Sequence, residues 1–215
     1  MMHLRLYTRY QNSAGQRIRI ALGLKGIAYE YVPVTSVSAP EFLSVNPQGL
    51  MPALEIDGHV IGQSMAIFEL LEELFPEPSL LPPDPFLKAE ARSFALAISA
   101  DLHPINNNRI RRYLKDRMGQ PEEAVLTWYR HWVAVSFTAL ETLLARRAQP
   151  FDFCFGEAPG IADICLVPQM DNARRFDCDL APYPLLVSID AACRQIPAFT
   201  DAAPEHQPDY PGTQA

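Results

Sequence analysis

The alternation of apolar and polar positions divides the first third of this chain into short elements. From His3 to Tyr7, Leu4 and Leu6 alternate with other residues at the period of a short strand. After the small polar loop Gln11 to Gln16 the period lengthens: Ile18, Ala21 and Leu22 share one helical face, and Gly26 is a C-terminal stop. Tyr29 to Val34 reads as a second strand. Two short runs, Ala53 to Ile56 and His59 to Gly62, flank the turn pair Asp57-Gly58, which signals a hairpin. Ser64 then stands at a helix N-cap position. Ile67, Leu70, Leu71 and Leu74 follow on one face, leaving Glu69, Glu72 and Glu73 for a solvated opposite face.

Strand, helix, strand, hairpin and helix is a thioredoxin-like order. Between Phe75 and Leu87, the prolines Pro76, Pro78, Pro82, Pro83 and Pro85 exclude a helix or a central strand and mark a domain boundary. Beyond it the periodicity is helical: Phe86 to Arg117, Pro121 to Arg147, Ile161 to Arg174, Leu185 to Gln195 and a short helix from Ala198. In Gly160-Ile161-Ala162-Asp163, Asp163 can accept the N–H of the helix cap, which assigns it to folding. The expected fold is therefore an α/β thioredoxin-like domain, residues 1–79, a linker, 80–85, and an all-α domain, 86–215. The polar tail Pro204 to Ala215 is expected to pack loosely.

A chain of 215 residues with 48% hydrophobic and 20% charged residues has the composition of an ordinary globular protein. Its 18 Lys+Arg against 25 Asp+Glu give a net charge of -7, which argues against a nucleic-acid partner and makes local basic clusters stand out. No apolar run approaches the ~20 residues of a membrane span, and MMHLRLYTRY lacks the apolar core of a secretory signal. No membrane partner is expected, and the cytoplasm is the expected location. Cys154, Cys165, Cys178 and Cys193 form neither C-x-x-C nor a zinc spacing, so reduced structural cysteines and no metal are expected.

The candidate chemistry lies in NPQGLMPALEIDG and IGQSMAIFELLEE. A proline just before a strand suits a cis Met51-Pro52 bond, with Met51 offering its backbone to a ligand. The helix beginning near Ser64 presents unpaired N–H groups that suit a carboxylate. A peptide-like ligand with a free α-carboxylate would fit across this unit. The loop before the first helix, with Asn12, Ser13 and Ala14, is a place for thiol chemistry, because a helix N-terminus lowers a thiol pKa from its free value of about 8.5.

These two segments resemble the glutathione-binding half of the glutathione transferase family. Arg17 to Tyr31, RIRIALGLKGIAYEY, and Leu166 to Pro184, LVPQMDNARRFDCDLAPYP, resemble its zeta class of maleylacetoacetate and maleylpyruvate isomerases. The resemblance runs from Leu4 to about Asp209. It implies glutathione as cofactor, held by Met51 through its backbone and by Gln63 and Ser64 at the γ-glutamyl end. It places the sulfur near Asn12, Ser13 and Ala14, where the class usually carries Ser-Ser-Cys, so the main thiolate stabiliser is open between Asn12 and Ser13. His103, Asn107, Asn108 and Arg109 match positions that touch glutathione or substrate, and Arg175 matches one that binds a substrate carboxylate. Arg111, Arg112 and Arg174 read as surface or helix-end charges.

The implied activity is cis-trans isomerisation of a maleyl-type diacid in aromatic or tyrosine catabolism, by a homodimer. Thiolate addition turns the double bond into a rotatable single bond, and rotation and expulsion give the trans isomer. Two alternatives stand beside it: a zeta-class transferase acting on α-halo acids, and a non-catalytic glutathione-binding or regulatory protein of the same fold.

Overall fold

The computed structural model describes residues 2–212. Its sheet has the order β2-β1-β3-β4, from β1 (Leu4–Thr8), β2 (Glu30–Pro33), β3 (Ala53–Ile56) and β4 (His59–Gly62). The parallel pair β1 and β2 needs a crossover, which α1 (Ser13–Leu24) supplies, whereas β3 pairs antiparallel with both β1 and β4. Asp57 and Gly58 both adopt positive φ, 48° and 87°, the geometry a two-residue hairpin turn demands. Positive φ at Gly26, 65°, ends the first helix as its spacing predicts.

One short helix escaped the periodicity. α2 (Pro40–Val45) is only six residues long, opened by Pro40 and by Glu41 in its first turn. It contributes Phe42 to a cluster with Tyr7, Val34 and Ala53, against which Met51 packs. α3 (Ser64–Leu74) buries Ile67, Phe68 and Leu71; Leu74, expected inside, is exposed.

The chain divides into two compact units, and the division corrects the expected domains. Leu81–Cys193 forms one; the other joins the chain up to Leu80 with the chain from Arg194 onward. The C-terminal stretch thus belongs with the first unit and is well packed. Arg19, buried in α1, donates to the carbonyl of Ala202 at 3.1 and 2.9 Å, and Asp209 accepts from the Tyr31 hydroxyl at 2.6 Å and from the Tyr10 amide at 3.0 Å. Gln207, also buried, donates to the carbonyls of Asp201 and Ala203. Residues 213–215 of the expected tail lie outside the described residues.

Within the helical unit, the single helix expected from Phe86 to Arg117 is four pieces. α4 (Pro85–Leu96) runs into a π-helical stretch, Ala97–Leu102, then one turn, α5 (His103–Ile105), and finally α6 (Asn108–Asp116). Pro104 and the asparagine run account for the breaks: proline cannot donate to the helical ladder, and asparagine competes for backbone partners. α7 (Glu122–Ala145) buries a stripe of Val125, Tyr129, Val133, Phe137, Leu140 and Leu144. α8 (Ile161–Arg175) and α9 (Pro184–Cys193) pack on each other, while α10 (Pro197–Thr200) packs on α1 in the first unit. At the start of α8, Asp163 accepts from the Gly160 and Cys154 amides at 2.9 and 2.8 Å, the folding role its position predicts.

Glu72 is a further correction. Rather than lying on a solvated face, it meets the fully buried Lys25 ammonium at 2.7 Å and accepts from Ser79 and the Leu80 amide. Lys25 also donates to the carbonyls of Phe75 and Pro78, so one cation ties the end of α1 to the end of α3 and the proline-rich segment. Breaking a buried pair by removing one partner strands the other charge. Lys25→Met should therefore lower stability by roughly 3 kcal/mol in urea unfolding; a loss below about 1 kcal/mol, the scale of a surface pair, would contradict this role.

Candidate active site

The sheet register gathers three segments at one end of the first unit. Because Tyr7 pairs with Ala53 and Ala53 with Gly62, β1 leaves the sheet where β3 enters and β4 ends. Asn12 and Ser13 follow β1, Met51 precedes β3, and Gln63 and Ser64 follow β4. The two helices that start there are neighbours: the Arg17 guanidinium, in the second turn of α1 and buried, donates to the Ser64 hydroxyl at 3.4 Å.

Each segment is held by its own residues. Asn12, with β-region backbone, caps α1 by accepting the Gly15 amide through its side-chain oxygen, so Ser13 is the first helical residue. That bond leaves the Asn12 amide group as the donor end. A side chain at position 15 would put its Cβ 2.6 Å from that oxygen, so only glycine lets the capping loop lie this close. The Tyr7 hydroxyl donates to Glu55 at 2.7 Å, which commits it elsewhere. Met51-Pro52 is cis. The loop before it is shaped by Asn46, whose amide donates to the Leu50 carbonyl at 2.7 Å and whose oxygen accepts the Gln48 amide at 3.2 Å.

Gln63, not Ser64, is the N-cap of α3. It has φ 67° and makes no side-chain capping bond; its amide reaches Gln48 instead, at 3.0 Å. The first-turn N–H groups of α3 are therefore not capped by its N-cap side chain, and neither α1 nor α3 carries an acid in its first turn. Of the other helices, α2, α7 and α8 carry one, whereas α4, α6, α9 and α10 do not. Two positive helix ends and a buried guanidinium so suit an anion at this end of the sheet.

The helical unit carries the other predicted residues. Asn106 is buried and donates to the Tyr129 carbonyl; Asn107 caps α6 by accepting the Arg109 amide; Asn108 opens that helix. Asn106 thus ties this segment to α7, Asn107 serves the local backbone, and the Asn108 oxygen accepts from Arg111 at 3.4 Å. Arg109 and Arg175 are exposed, and His103 is half-buried. Arg174, read as a helix-end charge, pairs with the buried Asp190 of α9. Arg111 departs from its surface reading. It is half-buried, its guanidinium carbon lies 4.4 Å from the Phe176 ring centroid and 5.8 Å from that of Tyr129, and burial lowers its pKa. The missed signal was spacing: Asn107, Ile110, Arg111 and Leu114 are the inward stripe of α6.

Residues 6–79 match the family model of the glutathione S-transferase N-terminal domain. Maleylpyruvate isomerase of a Ralstonia species is 43% identical over 96% of this chain and 99% of its own length. The chain belongs to the glutathione transferase family. A holo structure of maleyl pyruvate isomerase, described as a bacterial zeta-class glutathione S-transferase, superposes with a TM-score of 0.93 at 44% identity, covering 95% of this chain and 99% of that one. Maleylacetoacetate isomerase from Methylobacterium extorquens, solved with bound malonate and GSH, gives 0.92 at 37%, covering 96% and 99%.

For a glutathione transferase, the donor set fits its cofactor. The uncapped start of α3 suits the γ-glutamyl carboxylate, and the start of α1 with the Asn12 amide suits a thiolate. No cysteine competes for that chemistry. Cys154, Cys165 and Cys193 are buried, and burial pushes the half-buried Cys178 thiol up to about 11. Asn46 holds the Met51 loop without belonging to the donor set. Asn46→Ala, which removes both loop bonds, should weaken glutathione binding roughly tenfold by calorimetry; unchanged affinity would mean that the loop keeps its shape without them.

Proposed function

We propose that this protein is a glutathione-dependent cis-trans isomerase of a maleyl-type diacid, maleylpyruvate or maleylacetoacetate, in aromatic or tyrosine catabolism, working as a cytoplasmic homodimer. Likeness to maleylpyruvate isomerase along nearly the whole chain supports the reaction, and cysteines outside any disulfide suit a reducing compartment. The observation that carries the reading is the meeting of two helix N-termini without first-turn acids, beside Arg17.

When bound, glutathione supplies a thiolate for reversible addition to a conjugated cis double bond. This chain's residues do the rest. The start of α3 with Gln63 and Ser64 binds the γ-glutamyl end, and the Met51 backbone pairs with the cysteinyl amide. The Asn12 amide, the Ser13 hydroxyl and the α1 amides near Ala14 hold negative charge on the sulfur. Because the Asn12 oxygen is committed to Gly15, its amide N–H donors are the part that serves, and replacement of a hydroxyl by Asn12 keeps a donor in place. Arg175 and Arg109 take substrate carboxylates, for which the planar guanidinium is the matching shape. His103, Asn107 and Asn108 add polar contacts to cofactor or substrate.

Steady-state assay of maleylpyruvate with and without glutathione tests the reading. Turnover is expected only with glutathione, which is not consumed. Arg175→Ala should lower kcat/KM by about a hundredfold while glutathione affinity stays within about twofold. Halide release from dichloroacetate without isomerisation would point to a transferase instead, and glutathione binding without either activity would point to a binding protein. Equal loss of turnover and glutathione affinity would contradict the assignment of Arg175 to substrate.

A further inference from the structure

Asn12 and Ser13 sit at the end of a short lead-in, for Arg9, Tyr10, Gln11 and Asn12 join β1 to α1. Where this loop lies decides where the donors of Asn12 and Ser13 point, and groups distant in the chain hold it. The peptide unit between Arg9 and Tyr10 is gripped from both sides. Its N–H donates to the Asp209 carboxylate, 3.0 Å from one oxygen and 3.1 Å from the other, and its carbonyl accepts from Arg19 Nη1 at 3.3 Å. The next carbonyl, that of Tyr10, accepts from Arg19 Nη2 at 3.2 Å. The Tyr10 ring meets that of Tyr210 edge-on, with centroids 5.5 Å apart.

Both halves of this clamp are themselves fixed, and all of their groups belong to the first unit. Arg19 is buried in α1 and also donates to the Ala202 carbonyl. Asp209 accepts the hydroxyl of Tyr31, on β2, at 2.6 Å; burial and that bond push the Tyr31 pKa up, so it stays a donor at neutral pH. The Asp209 charge also acts on Arg19, opposing the burial that lowers the guanidinium pKa. A carboxylate that accepts a backbone N–H makes a charge-assisted bond, roughly twice as strong as a neutral one. Tethering the C-terminal stretch does not call for that bond, because Tyr31 and the Ala202 carbonyl already hold it.

We infer that Asp209 is a positioning residue for the thiolate: through the Tyr10 amide, and together with Arg19, it holds the loop so that Asn12 and Ser13 meet the glutathione sulfur. This rests on the glutathione chemistry proposed for that loop. Misplacement of a reacting group by about 1 Å can cost about a hundredfold in rate. With the Asn12 cap on Gly15 still in place, release of the Tyr10 end should cost less, about tenfold.

Ultraviolet titration of glutathione bound to the full-length protein tests this. Asp209→Ala is expected to lower the ionisation constant of the bound thiol and kcat by about tenfold each, with glutathione affinity within about threefold because the start of α3 is untouched. Asp209→Asn keeps one acceptor oxygen and should lower the ionisation constant about threefold, which carries the comparison if the alanine variant fails to fold. Tyr31→Phe loosens the same carboxylate but leaves the Tyr10 amide its acceptor; it should lower thermal stability while thiol ionisation stays within about twofold. An ionisation constant unchanged in the Asp209 variants, or lowered by Tyr31→Phe as much as by them, would overturn the inference, the latter because any loosening of the tail would then suffice. Failure of the glutathione reading shows separately, as absent thiolate absorbance in the unsubstituted protein. The clamp is then still read from the Gly15 amide, which Asn12 caps: Asp209→Ala should quicken its hydrogen exchange about tenfold, and unchanged exchange would overturn the positioning itself.

Discussion

Arg17 donating to the Ser64 hydroxyl at 3.4 Å is the contact from which the first unit's chemistry follows. It fixes the start of α3 beside the second turn of α1, so the positive ends of two helices share one end of the sheet. Neither helix brings an acid in its first turn, and the Gln63 side chain does not cap α3. In a chain of net charge -7 this is a local concentration of positive potential, which suits an anionic ligand. A tripeptide that brings both carboxylates and a thiol meets it at more than one point.

The scaffold around that contact is arranged to keep it in place. The register of β1, β3 and β4 delivers three loops to the same end, and short local bonds set each loop: Asn12 to Gly15, Asn46 to Leu50 and Gln48, and Gln63 to Gln48. At the far ends of the same helices Lys25 and Glu72 close the unit, tying α1 and α3 together where the chain leaves for the proline-rich segment. The C-terminal stretch braces α1 from a third direction through Arg19 and Ala202. Binding geometry thus rests on rigid elements, with the ligand-facing groups on their termini.

Much of this was legible in the sequence, and what was not has a physical pattern. Asp57-Gly58, Gly26 and the proline run carry their conformations in their own chemistry, so the hairpin, the first helix stop and the change of unit could be read locally. The binding segments could be placed as well, although Ser64 proved to be the first helical residue and not the cap. Features set by distant partners stayed hidden: the return of the chain after Arg194 to the first unit, the burial of Glu72 by Lys25, and the close packing around Asp209. Hydrophobic periodicity cannot register such contacts, because charged and polar residues make them. Arg111 is the instructive case. Its neighbours Ile110 and Leu114 marked the inward face of α6, but a cation on that face reads as surface until the rings of Phe176 and Tyr129 are seen against it.

The account makes the protein a device for keeping a sulfhydryl ionised where an unsaturated acid can reach it. The most direct test is the ultraviolet thiolate absorbance of glutathione bound to the protein, followed as a function of pH. The account predicts a bound thiol that titrates below the free value of about 8.5, with thiolate absorbance already present at pH 7. Bound glutathione whose thiol stays protonated at that pH and titrates at or above the free value would contradict it.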